Sequence, residues 1–139
     1  MSICLSVGAV IVSIAAQQFT LSWTHSVERI IWQEDWRVMD QTLSLVEARV
    51  RGSGAGMEVP EGAVLKEGVW HYFASRDVPA LNLTISPFGR DEYQVCLPVS
   101  GCEAIPNILN RFDLKPTEPS YVVKVAPCEI ERRHPLKKN

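Results

Sequence analysis

Two strictly alternating segments constrain this chain more than any other feature. Phe19, Leu21, Trp23 and His25 alternate with Thr20, Ser22 and Thr24; Trp32, Glu34, Trp36 and Val38 alternate with Gln33, Asp35 and Arg37. A period of two sends every second side chain to one side of a pleated strand, so each segment reads as a strand with one aromatic, largely apolar face. Such a face needs a second layer of structure over it.

The rest of the chain follows the same grammar. Residues 3–16 form an apolar, β-branched run interrupted by Gly8, which predicts two strands joined at that glycine. Asp40-Gln41 reads as a turn before a strand over Leu43 to Val50. Val64-Leu65 and Val69 to Phe73 flank a Lys66-Glu67-Gly68 turn and predict a hairpin. Leu81, Leu83 and Ile85 make a strand closed by Pro87; Tyr93, Val95 and Leu97 make another, and Tyr121, Val123 and Val125 a last one. Within residues 103–112, Ile105, Ile108, Leu109 and Phe112 recur at helical spacing, and Pro106 fits only the first turn of such a helix. The expectation is an all-β, small antiparallel sandwich or barrel-like domain over residues 4–128, with at most one short helix. Residues 129–139 read as a basic tail. At 139 residues the chain is long enough to bury roughly two thirds of its unfolded surface as one domain.

Charge narrows the partners. With 14 basic and 16 acidic residues the net charge is −2, which argues against nucleic acid. The basic run Arg132-Arg133-His134-Pro135-Leu136-Lys137-Lys138 reads as a solvated tail, with peripheral contact to an acidic membrane surface as the sharper alternative. No basic region precedes the first apolar run, so no signal peptide is recognisable, and the run is shorter than the roughly 20 residues that span a bilayer. A cytoplasmic place is slightly favoured on that ground, with an extracytoplasmic or periplasmic place as the alternative. Cys96 and Cys102 can face each other across a hairpin, and Cys4 and Cys128 can meet on neighbouring strands. Buried free thiols are the plainer expectation in a reducing compartment.

Chemistry concentrates in residues 19–38 and 51–62. Glu34 shares a face with Trp32 and Trp36; if that face is core, the carboxylate needs a partner, which Arg49 or Arg51 on the next strand is expected to supply. The alternative is a pocket mouth in which two indoles line the wall and Glu34 reads a polar or cationic ligand. Asp35 then points to solvent. His25 and Ser26 are adjacent on a strand, point to opposite sides and make a poor base–nucleophile pair. Metal binding by His25 with Glu28 or Glu58 has no diagnostic spacing. Gly52-Ser53-Gly54-Ala55-Gly56 places glycine at every second position, either as a tight bulged connection or as an anion-binding loop with Arg51 as counter-charge. Met57 and Pro60 exclude a dinucleotide fingerprint, and no Gly-Lys-Ser/Thr follows for a P-loop.

WTHSVE at 23–28, EDWRV at 34–38, LVEARVRGSGAGME at 45–58 and PEGA at 60–63 resemble the bacterial domain-of-unknown-function family eighteen-fifty. The resemblance runs from about residue 4 to Cys128 and is strongest over 19–63. It implies a role beside tripartite ATP-independent periplasmic (TRAP) transporters of the TAXI type, near whose genes members are found, and it implies no catalytic activity.

The expected function is therefore a non-enzymatic accessory or small organic-anion-binding component of a TAXI-type TRAP system, without cofactor or metal. The expected site gathers His25, Glu28, Trp32, Glu34 and Trp36 with Arg51, Ser53, Gly54, Gly56 and Glu58. The partners are a small organic acid and the transporter subunits. A protein-interaction module without a pocket, and a small serine hydrolase using Ser53 or Ser26 with His25, are the alternatives.

Overall fold

The alternation seen in sequence becomes two stacked antiparallel sheets. The computed structural model describes residues 1–24, 30–51, 62–87 and 92–129. The strands are β1 (Ser2–Val7), β2 (Val10–Ala15), β3 (Gln18–Thr24), β4 (Ile31–Val38), β5 (Leu43–Arg51), β6 (Val64–Lys66), β7 (Val69–Val78), β8 (Leu81–Ile85), β9 (Gln94–Leu97), β10 (Gly101–Ala104) and β11 (Tyr121–Cys128), with one helix, α1 (Ile105–Arg111), before the last. The small sheet has the order β2-β1-β11-β8 and the large sheet the order β10-β9-β3-β4-β5-β7-β6. The arrangement is a sandwich.

Local chemistry sets the turns. Gly8 takes φ +60° at the first loop position between β1 and β2, a conformation open to glycine. Glu67 and Gly68 both take positive φ between β6 and β7, which matches the twist of a two-residue hairpin loop. Helix α1 begins directly after β10 with Pro106 in its first turn, where a missing N–H costs nothing. It turns Ile105, Ile108 and Leu109 inward.

The core lies between the sheets. Ile3, Leu5, Val12, Leu83, Ile85, Val123 and Val125 from the small sheet meet Phe19, Leu21, Trp36, Val38, Leu43, Leu45 and Val95 from the large one, and α1 closes one end. Each fully buried aliphatic side chain contributes about 1.5–3 kcal/mol. An irregularity between Leu45 and Glu47 adds Val46 to β5. That extra residue lets Leu45 face inward while Glu47 faces outward, although the two are two positions apart.

Four strands cannot cover seven. Ile14 of β2 borders a cavity with Val95, Leu97 and Ile108, so the β2 side of the small sheet lies over β9 and α1. The uncovered end is therefore at β7 and β6. Leu65 shares a face with Trp70 there and is 53% exposed. Ile30, Ala48 and Val50 are buried but stand apart from the central cluster.

All four cysteines are oxidised: Cys4 with Cys128, and Cys96 with Cys102. The free-thiol expectation gives way because antiparallel register brings each pair together. Cys96 stands directly opposite Cys102, and Cys4 lies on β1 beside β11 with its Cα 5.8 Å from that of Cys128. Cys4–Cys128 closes a loop of 124 residues and Cys96–Cys102 one of 6. Chain entropy alone then assigns about 5 kcal/mol to the first bond and about 2 kcal/mol to the second. Urea denaturation of Cys4→Ser/Cys128→Ser should show the larger loss, and that of Cys96→Ser/Cys102→Ser the smaller.

Candidate functional site on the inner face of the large sheet

Residues directly opposite one another on paired strands share a face. The register therefore draws three rows across the inner face. The first is Trp23, Trp32, Val50, Trp70 and Leu65; the second is Leu21, Glu34, Ala48 and Tyr72; the third is Phe19, Trp36, Leu45 and Arg76. The β3 and β4 ends of these rows adjoin the core; of the β7 ends, Trp70 and Tyr72 are half-buried and Arg76 is exposed.

The first row is an aromatic wall. Trp23 and Trp32 stack with centroids 6.0 Å apart and planes 9° from parallel, and Tyr93 tilts against Trp23 at 5.5 Å. The Nε1 of Trp32 is buried without a hydrogen-bond partner among the described residues. An unmade bond at a buried donor costs about 1–3 kcal/mol, so this N–H is poised to receive an acceptor.

The second row carries the titratable groups. Burial raises the Glu34 pKa above the usual carboxylate value, outweighing the Trp36 Nε1 hydrogen bond and the Arg76 charge that lower it. That hydrogen bond is 3.1 Å long, and Trp36, 2% exposed, is a core residue that orients the carboxyl. The Tyr72 hydroxyl is pushed up by burial and by the negative charge of Glu34, with Arg76 opposing. Glu34 and Tyr72 therefore feel one another across Ala48, whose side chain is only a methyl group, and both feel Arg76 from the next row, opposite Leu45.

The outer face of the same strands holds a separate network. Arg49 clamps Asp35 through two bonds of 2.7 Å, reaches Gln33 at 3.3 Å, and lies 3.5 Å from Glu47. Glu47 in turn meets His71 Nδ1 at 3.1 Å, and Thr20 donates to Asp35 at 2.7 Å. Burial works to raise the Asp35 pKa, but the bonds from Arg49 and Thr20 and the Arg49 charge prevail and hold it below its ordinary value. The expected solvated Asp35 is thus an ion-paired one. Phe73 on this face is 74% exposed.

This division corrects the partner expected for Glu34. Arg49 stands opposite Gln33 and Arg51 opposite Ile31, so both belong to the outer face; Ala48 is what stands opposite Glu34. Glu34 has instead the Trp36 N–H and the field of Arg76. Of the expected site residues, Trp32, Glu34 and Trp36 share the inner face, and Arg51 is exposed on the other. His25, Glu28, Ser53, Gly54, Gly56 and Glu58 lie outside the described residues. Trp23, Trp70, Tyr72 and Arg76 join the site without having been singled out. Trp23 falls on the alternating face of β3, and Trp70, Tyr72 and Arg76 all fall on even positions of β7.

The chain belongs to the family described as Domain of unknown function (DUF1850), which matches residues 19–102. No curated protein and no solved structure matches it. Every member of the three rows falls inside the matched segment.

Because Glu34 ionises less readily in the folded chain than in the unfolded one, its charge weighs against folding at neutral pH. The penalty is complete above its folded-state pKa and absent below its unfolded one. Glu34→Gln keeps an acceptor for Trp36 and should stabilise the protein modestly at neutral pH. The gain should vanish below about pH 4; urea denaturation at the two pH values checks this.

Proposed function

We propose that this protein is a non-enzymatic, extracytoplasmic binding component for a small organic acid, acting beside a TAXI-type TRAP transporter. One observation carries the binding role: the inner face of the large sheet sets the Trp32 indole, whose N–H has no partner among the described residues, beside Glu34, with Tyr72 and Arg76 on β7. Apolar walls bind the body of a small molecule, and a few convergent polar groups fix its orientation. Among the described residues Arg76 is the cation of this face, and a guanidinium matches a carboxylate in charge and geometry. The transporter association rests on the family resemblance. The extracytoplasmic place is supported by the two disulfides, which persist in oxidising compartments.

A second reading has its own observation. The outer face presents Phe73 beside exposed Val46 and Val64, around the Asp35–Arg49–Glu47–His71 network. That surface fits a protein partner, such as a subunit of the transporter.

A thermal-shift screen against small mono- and dicarboxylates separates the two. Saturable stabilisation by an acid, of about 3 °C or more, is expected. Arg76→Ala should weaken binding by about 1.5–3 kcal/mol, the range for a charge-assisted bond. Arg51→Ala, on the other face, should bind as the unaltered protein does. Loss in Arg51→Ala alone would move the site to residues 51–58. No response to any acid, with capture of a transporter subunit that Phe73→Asp abolishes, would favour the second reading.

A further inference from the structure

A site for an acid that already contains a desolvated carboxyl has an electrostatic difficulty. Glu34 and Tyr72 stand in one row on either side of Ala48, with only that methyl group between them, and exposed Arg76 stands in the next row opposite Leu45. The ion pairs among the described residues do not include one between Glu34 and Arg76, so the guanidinium influences the carboxyl without engaging it directly. Its donors remain for a ligand.

The neighbours of Glu34 are few enough to count for charge. Tyr72 and Arg76 face it from β7. From β3 come Leu21 and Trp23, from β4 Trp32 and Trp36, and from β5 Ala48 and Val50. The inward side chains of the small sheet are Ile3, Leu5, Val12, Leu83, Ile85, Val123 and Val125, with Tyr121 half-buried beside them. Among the described residues, then, one cation serves this face. One guanidinium cannot neutralise both Glu34 and an incoming carboxylate. Two carboxyl groups that share a site hold a proton between them, because like charges at close range do not both ionise in a desolvated place.

On the reading that this face is the binding site, we propose that it takes up a small carboxylate together with one proton. Glu34 carries the proton and donates it as a hydrogen bond to one oxygen of the bound carboxylate, while Arg76 holds the other. Burial already works against the charged form of Glu34, the same direction as the protonation required. The body of the acid lies along Trp70 and Trp32, whose N–H, without a partner among the described residues, donates to a second polar group. Binding is then linked to pH: affinity is constant below the point at which Glu34 ionises in the free protein and falls as pH rises beyond it. A binding domain of this kind loads in an acidic medium and unloads in an alkaline one.

Calorimetric titration of the full chain with benzoate and with succinate, from about pH 5 to about pH 8 in buffers of different ionisation enthalpy, tests this. The expected result is an affinity that falls by up to about tenfold per pH unit, with net uptake approaching one proton per acid bound. Glu34→Gln, whose amide is a permanent donor, should bind with an affinity that no longer follows pH and without proton uptake. Saturable binding that is independent of pH in the unaltered chain would overturn the proposal and leave the binding site standing. Binding that tightens as pH rises and is lost in Glu34→Gln would also overturn it, since Glu34 would then act as a charged acceptor. No saturable binding of either acid at any pH would overturn the binding reading itself, and the proposal with it.

Discussion

The unequal size of the two sheets governs most of what this molecule presents. An inward face of seven strands and an inward face of four can bury only their overlap, and the hydrophobic core forms there, over β9, β3, β4 and β5 with α1 at one end. Beyond the overlap the large sheet must protect its own backbone and small residues. Trp32, Trp70 and Tyr72 are large enough to do so over Val50 and Ala48, which are buried without belonging to the main cluster. A side chain that substitutes for a missing layer keeps one surface in contact with the protein and leaves the other available. The proposed site is a consequence of that shortage of strands.

Strand β4 shows how far a single backbone can separate chemical environments. Glu34 and Asp35 are neighbours in sequence and experience opposite shifts. Glu34 points into an aromatic surface where burial dominates and its carboxyl resists ionisation. Asp35 points outward to a forked guanidinium and a hydroxyl that hold it ionised. The outer network is a structural clamp across β3, β4, β5 and β7, in which the strong bonds are already made. Among the described residues, the inner group is left with an unfilled donor beside it and a cation not directly engaged.

Much of this fold was legible because it is local. The Gly8 and Lys66-Glu67-Gly68 turns, the strand closed by Pro87, the short helix admitting Pro106 and the Cys96–Cys102 hairpin each depend on residues close in sequence. The inner placement of Trp32, Glu34 and Trp36 follows from a period of two. The partner of Glu34 was harder to see. Assigning it to Arg49 or Arg51 required a side for each residue of β5, and the added Val46 shifts the alternation from Leu43 and Leu45 to Ala48 and Val50. That change of parity is visible in the letters, and it places both arginines outward. Arg76 was out of reach because its approach depends on β7, not β6, lying next to β5. No local pattern encodes that choice, nor which strands the small sheet leaves uncovered.

The bond between Cys4 and Cys128 gives the domain a mechanical character. It joins β1 to β11 in the small sheet and spans 124 positions of the chain. Tension applied to the polypeptide on either side of these residues passes through the sulfur atoms and not through the hydrogen-bonded strands. The sheets and the face they present are thus shielded from pulling forces. A pull between the two cysteines loads a covalent bond before it loads a pair of strands.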